Sequence, residues 1–241
     1  MGLCVTSMYK YGAWHKISKV NYGILFSMND EQRVYFTRAY ITGTDLWSQL
    51  PVASLRNEFI AGLPQNALVL DVGAGRGLWA RTLVESGVRV IGIDYVETIV
   101  AHVNNELKDR GWESRARFVV ADVREIPFTD ASFDAVTDIQ LFTHIKKEDR
   151  LKYKNEITRV LKSGGSFLLT TLSKQTHRYF NWHPRASEVT FFEKDGVSYS
   201  FATKDELCEF FGDAFICVAD TIEEIGAPDP VCYHSFLFLK K

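Results

Sequence analysis

Three aspartates in this chain sit where a ligand would meet them. Asp71, Asp94 and Asp122 each close a run of apolar, β-favouring residues. After the first come three alternate glycines, Gly73, Gly75 and Gly77, in the stretch LVLDVGAGRG from Leu68 to Gly77. Glycine has no Cβ, so such a turn can take positive φ and let a ligand approach the backbone closely. The amides that open the following apolar, helix-like stretch, Leu78 to Val84, then suit a carboxylate or phosphate. Asp94 stands about 20 residues beyond the turn, where a carboxylate can accept both hydroxyls of a ribose. It would serve equally as a strand-end acid in solvent or as the N-cap of the next helix. Asp122 has a similar double reading, as a ligand acceptor or as a turn aspartate bonding its own backbone.

The elements that must position these acids follow a regular alternation. Strands are expected at Leu68–Gly73, Arg89–Asp94, Arg117–Asp122, Phe133–Ile139 and Gly165–Leu172, with helices at Gly77–Ser86, Glu97–Arg110 and Glu148–Leu161. Strands alternating with helices imply parallel strands joined by right-handed crossovers. Ligands then bind at the carboxyl ends of the strands, where all three acids lie. Ahead of this block, Asp30–Ala39 reads as helical, and Thr44–Gly62 reads as an amphipathic helix interrupted at Pro51, with Leu46, Leu50, Leu55 and Phe59 facing inward. After Leu172 the rhythm breaks. Asp195-Gly196 between two β-favouring runs signals a hairpin, and a helix at Lys204–Phe211 precedes strands at Phe215–Glu223 and His234–Lys240. The short link between those last strands allows an antiparallel pair.

The dinucleotide fingerprint G-x-G-x-x-G does not fit, because from Gly73 the chain reads G-A-G-R-G-L and the third glycine comes one residue early. With Asp71 ahead of it, the turn instead resembles motif I of the class I S-adenosylmethionine-dependent methyltransferases, D/E-x-G-x-G-x-G. Two further stretches are similar to that family. Asp122 is followed by a short polar segment, Pro127-Phe128 and Ser132-Phe133-Asp134; Lys162-Ser163-Gly164-Gly165 stands where the family has L-K-P-G-G, with Ser163 in the usual proline place. The resemblance covers about Leu68 to Leu172 well and the C-terminal strands loosely. It implies an α/β fold, a doubly wound, mostly parallel seven-stranded sheet with a reversed last strand. An N-terminal arm and helical cap would occupy 1–63 and the methyltransferase domain 64–241, with a lid-like insertion at 173–203 after the fifth strand.

The same resemblance implies S-adenosyl-L-methionine as cofactor and residues to hold it. Asp71 and the amides near Gly73 and Gly75 would take the methionine part, Asp94 the ribose, and Asp122 with the Val123 amide the adenine; Ala74, Gly77, Tyr95 and Asp138 are expected beside them as cofactor contacts. After the fourth strand, many small-molecule methyltransferases carry a paired-histidine segment lining cofactor and acceptor. This chain keeps His144, with Thr143 in the first histidine's place. His144 is the candidate general base, since an unperturbed imidazole titrates near neutrality, and it would serve equally as a packing residue. Tyr40, Trp47, Gln140, Tyr179 and Trp182 are the candidate walls of an apolar acceptor pocket, and His177 and His183 further polar contacts.

Composition narrows the field. Apolar residues make up 46% and charged residues 24% of 241, an ordinary globular balance. A net charge of −2 offers no electrostatic footprint for nucleic acid, and an N-P-P-Y segment of the amino-group methyltransferases is absent. No apolar run reaches the roughly 18 residues of a membrane span. Lys10, His15 and Lys16 interrupt any signal-peptide core, so a cytoplasmic protein is expected. Cys4, Cys208, Cys217 and Cys232 show no metal-ligand spacing, and no metal is expected. The expected partner is a small-molecule methyl acceptor, with neither nucleic acid nor membrane. Three other readings stay open: a protein side-chain methyltransferase, a non-catalytic methyltransferase-like partner protein, and an NAD-dependent oxidoreductase. Against the last, Tyr153 is followed four places on by Ile157 rather than lysine.

Overall fold

The computed structural model describes residues 31–49, 55–176, 190–226 and 230–241. Five strands run parallel: β1 (Leu68–Val72), β2 (Arg89–Asp94), β3 (Ala116–Val120), β4 (Phe133–Ile139) and β5 (Leu161–Leu172). Two more, β8 (Phe215–Ile225) and β9 (Val231–Lys240), complete a seven-stranded sheet of order β3-β2-β1-β4-β5-β9-β8. The last strand, β9, is antiparallel to both its neighbours, as expected. Strand order reverses between β1 and β4, so the crevice at their carboxyl ends is the natural ligand site.

Helices cover both faces, which is why the central strands are apolar throughout. Val69, Leu70 and Val72 of β1 are all fully buried. On one face lie α1 (Glu31–Thr42), α2 (Arg56–Ala61), α3 (Leu78–Glu85) and α4 (Glu97–Asp109), through Phe36, Phe59, Leu83 and Val103. On the other lie α5 (Arg150–Val160) and α6 (Lys204–Phe211), through Tyr153, Ile157, Leu207 and Phe211. Among the described residues no helix is long and apolar enough to cross a membrane.

A separate hairpin, β6 (Phe191–Lys194) and β7 (Val197–Ser200), turns at Asp195 and Gly196 with φ of 54° and 75°. Two successive positive φ values make the tight turn whose twist matches its strands. The hairpin rests on α1, where Gly196 meets Glu31.

Two expectations are corrected. Thr44–Gly62 is not one helix: it holds a 3-10 turn at Leu46–Gln49 and the short α2. Residues 50–54 lie outside the described residues; of the four inward positions, Leu55 and Phe59 are buried. Likewise β5 begins at Leu161, because Phe133 pairs with Leu161 and Ala135 with Ser166, leaving Lys162–Gly165 as a bulge inside the strand.

Candidate functional site

The glycine turn follows β1 at the reversal point. Gly73 and Gly75 have φ of 63° and 50°, a region side chains rarely adopt, and both are closely covered. A Cβ on Gly73 would meet Leu141 at 2.8 Å, and one on Gly75 the Tyr40 hydroxyl at 2.8 Å. The turn is held from behind by β2. Asp94 Oδ2 accepts from Gly75 N at 3.0 Å and Oδ1 from Val96 N at 2.9 Å. Asp94 thus organises both the turn and the start of α4, and each oxygen keeps a lone pair for a further donor. Burial lifts its pKa to about 6 against the lowering effect of those amides. Asp71, on the adjacent strand end, accepts from Thr137 Oγ1 at 2.9 Å. Burial pushes it to about 7, with Asp138 and Asp94 adding like-charge repulsion.

Asp122 is held differently. Its carboxylate faces Arg124, whose Nη2 lies at 2.6 Å and Nε at 2.9 Å, and Oδ1 also accepts from Arg124 N at 2.8 Å. Arg124 in turn donates to Asp149 at 2.7 Å. The turn reading is therefore realised in this structure, and a ligand at Asp122 would share the carboxylate with a guanidinium. Among the described residues nothing accepts from the Val123 amide, which lines the same part of the cleft.

Above the strand ends, α1 and the 3-10 turn at Leu46–Gln49 supply an aromatic wall. Trp47 meets Phe36 and Tyr40 edge-on at centroid distances of 5.2 and 5.8 Å. Arg76, inside the glycine turn, ties this wall down: Nε and Nη2 reach Asp45 at 2.6 and 2.7 Å, and Nη2 also donates to the Tyr40 carbonyl. Asp45 is only 3% exposed, so this is a shielded, two-pronged pair. Gln140, at the end of β4, takes φ of 76° and lines the cleft, a strained conformation of the kind that collects at ligand sites. His144 lies in a 3-10 turn at Phe142–His144; its Nδ1 donates to the Ser198 carbonyl at 2.9 Å, and burial drives its pKa down to about 4. So weak a base is ill suited to carry a substrate proton at neutral pH.

Asp71, Gly73, Ala74, Gly75, Asp94, Tyr95, Tyr40, Trp47, Gln140 and His144 all line one open cleft. Asp122 and Val123 line an adjoining cavity that shares Gly73, Asp94, Tyr95 and His144 with it. Two expected cofactor contacts are corrected. Asp138 is fully buried and spends its carboxylate on Tyr153 OH at 2.6 Å and Phe142 N at 3.2 Å. Strand side chains alternate, and with Thr137 turned toward Asp71 its neighbour must face α5. Gly77 opens α3 as a packing glycine, where a Cβ would meet Phe118 at 2.9 Å. Tyr179 and Trp182, with His177 and His183, lie outside the described residues. Sequence reasoning missed Gln32, Phe36, Asp45 and Arg76, whose only local signal was a long cationic side chain within a glycine turn. It also missed Trp79, which lines the cleft while its Nε1 is buried without an acceptor among the described residues. That orphaned donor, the open Val123 amide and the glycine cradle fit a nucleoside-bearing ligand with a carboxylate. Among the described residues no three His, Cys, Asp or Glu gather as a metal site.

Residues 69–165 match a family model described as a methyltransferase domain. A probable S-adenosylmethionine-dependent methyltransferase of Mycolicibacterium smegmatis is 37% identical over 113 residues, 45% of this chain and 39% of that protein. A ubiquinone/menaquinone biosynthesis C-methyltransferase of a Geobacter species is 34% identical over 118 residues, 48% of this chain and 49% of its own. The matched stretch thus spans less than half the length of either relative. Among solved structures, the Burkholderia thailandensis 1,6-didemethyltoxoflavin-N1-methyltransferase, with 1,6-didemethyltoxoflavin and S-adenosylhomocysteine bound, superposes with a TM-score of 0.69 at 26% identity. The superposition covers 87% of each chain.

Proposed function

Since this chain belongs to the class I S-adenosylmethionine-dependent methyltransferase family, we propose that it moves a methyl group to a small, planar nucleophile. The observation that carries this reading is the aromatic wall of Phe36, Tyr40 and Trp47, which closes over the glycine turn in one cleft. Flat apolar surfaces with a few polar groups recognise flat ligands. Arg76 is engaged by Asp45, and Asp71 and Asp94 add no positive charge, so a neutral or cationic acceptor fits better than a phosphorylated one. The likeness to the Burkholderia and Geobacter proteins, a didemethyltoxoflavin N-methyltransferase and a quinone-pathway C-methyltransferase, supports a small-molecule acceptor.

When bound, S-adenosylmethionine supplies a methyl group already activated on a sulfonium. The chain's own part is then to hold and align. In this reading the glycine turn, where Gly73 and Gly75 carry no side chain, gives the carboxylate end room beside the backbone. Asp94 uses its spare lone pairs for the ribose, and the Val123 amide meets the adenine with Asp122 beside it. The wall of α1 excludes water and orients the acceptor. Alignment of this kind can lower a barrier by about 7–11 kcal/mol.

The test is calorimetric titration with S-adenosylmethionine, S-adenosylhomocysteine and NAD, followed by a labelled-methyl screen of planar phenols and nitrogen heterocycles against peptides. Binding of the sulfur pair and labelling of a small planar acceptor would support the reading. Binding of NAD alone would end it, and labelling confined to peptides would move the acceptor to a protein side chain.

A further inference from the structure

One side chain on α1 bonds two neighbours at once at the cleft. Gln32 Nε2 donates to the His144 carbonyl at 3.1 Å, and its Oε1 accepts from Ser198 N at 3.0 Å. The Ser198 carbonyl then accepts from His144 Nδ1 at 2.9 Å. Three residues from three separate elements, α1, the turn after β4 and β7, form a closed loop of hydrogen bonds. A carbonyl oxygen has no proton to give, so the proton of the last bond belongs to Nδ1. In a neutral imidazole the other nitrogen, Nε2, must then carry the lone pair.

The ring is fixed as well as polarised. It packs edge-on against Phe36 and Tyr199, with both centroids 5.2 Å away. Rotating it would break the bond to Ser198 inside a packed aromatic shell. His144 lines both the main cleft and the adjoining cavity, and Gln32 lines both with it. Among the described residues nothing donates to Nε2. Burial also keeps the ring from becoming imidazolium, so it accepts a hydrogen bond without taking the proton away.

We propose that Gln32 is a positioning residue that locks the β6–β7 hairpin to His144, fixing the Nδ1–H tautomer so that Nε2 selects methyl acceptors presenting a neutral N–H or O–H. The substrate half of this inference rests on the methyltransferase reading; the tautomer half does not. A site that accepts such a bond discriminates strongly against an analogue lacking the donor, because the buried acceptor is left unpaired.

Nitrogen-15 NMR of the histidine rings tests both halves. The His144 signals are assigned by their loss in His144→Gln. Wild type should show His144 as the Nδ1–H form alone. Gln32→Ala should lose that single form to a mixture, and Gln32→Glu should do so in part, since it still accepts from Ser198 N but cannot donate to the His144 carbonyl. With S-adenosylhomocysteine present, phenol should shift the Nε2 resonance of wild type, and anisole, its methyl ether, should not. A wild-type ring in the Nε2–H form, or a tautomer unmoved in both variants, would overturn the positioning role. Equal shifts with phenol and anisole, or none with either, would overturn the donor selection. Failure of wild type to bind S-adenosylhomocysteine would instead strike the methyltransferase reading while leaving the tautomer result standing.

Discussion

Asp94 closes β2 and Asp122 lies two residues past the end of its parallel neighbour β3, yet the molecule holds them differently. Asp94 is 5% exposed and bonded to two backbone amides, those of Gly75 and Val96. Asp122 accepts from a single backbone amide, that of Arg124, and otherwise from the Arg124 guanidinium, a side chain that is itself 37% exposed. A carboxylate that accepts from fixed amides is part of the frame and is already aimed when a ligand arrives. One that accepts from a long flexible side chain has a partner that can move aside. One end of the site is thus preorganised by the backbone, and the other is adjustable.

That contrast orders the expected effects. Asp94→Ala should be the most damaging, because it strands the Gly75 and Val96 amides at about 1–3 kcal/mol each. A clear fall in melting temperature and loss of S-adenosylhomocysteine binding in calorimetry should follow together. If Asp94→Ala melted like wild type, the backbone-frame account would fail.

The second effect is on pH. Burial raises Asp71 to about 7, Asp94 to about 6 and Asp138 to about 7, against 3.8 for a free aspartate. Between pH about 4 and 7 these three folded-state carboxyls hold protons that the unfolded chain has released; they outweigh His144, whose lowering to about 4 acts in the opposite direction, and stability falls as pH rises through that window. Melting temperature, followed by calorimetry without ligand, should be higher at pH 5 than at pH 8. Asp94→Asn should lower it at both but flatten the slope; an upward trend with pH would contradict the assignment.

Asp122→Ala should be milder. Arg124 keeps Asp149 as a partner, and a partly exposed ion pair is worth about 0–1 kcal/mol, so melting should barely move. Cofactor affinity should drop by about tenfold, or 1.4 kcal/mol. The smallest effect sharpens the comparison most. Arg124→Ala frees the Asp122 carboxylate, and S-adenosylhomocysteine should bind slightly more tightly. Weakening comparable to that of Asp122→Ala would show that the guanidinium belongs to the site rather than competing for it.

Much of this architecture was legible in the order of residues. The apolar runs ending in Asp71 and Asp94, the alternate glycines between them and Asp195-Gly196 each dictate a local conformation. Periodicity, φ preference and turn chemistry act over a few residues, so strand and helix positions in the core agree with expectation within a few residues. The exceptions mark where local signals were silent or outvoted: Lys162–Gly165 became a bulge inside β5, and Asp138 turned to Tyr153 because Thr137 took the face toward Asp71. Nothing in the neighbourhood of Gln32 announces that it will bridge His144 and Ser198, 112 and 166 residues away. Nor does the neighbourhood of Asp45 foretell Arg76, 31 residues on. The sequence by itself determined a glycine turn at a strand end and the acids that flank it, because those depend on backbone geometry close at hand. Which groups face the cleft, which imidazole nitrogen keeps its lone pair and which acid must share its carboxylate were decided only when distant elements packed. Hydrogen-bond partners are chosen by proximity in space, and that is a property of the folded whole.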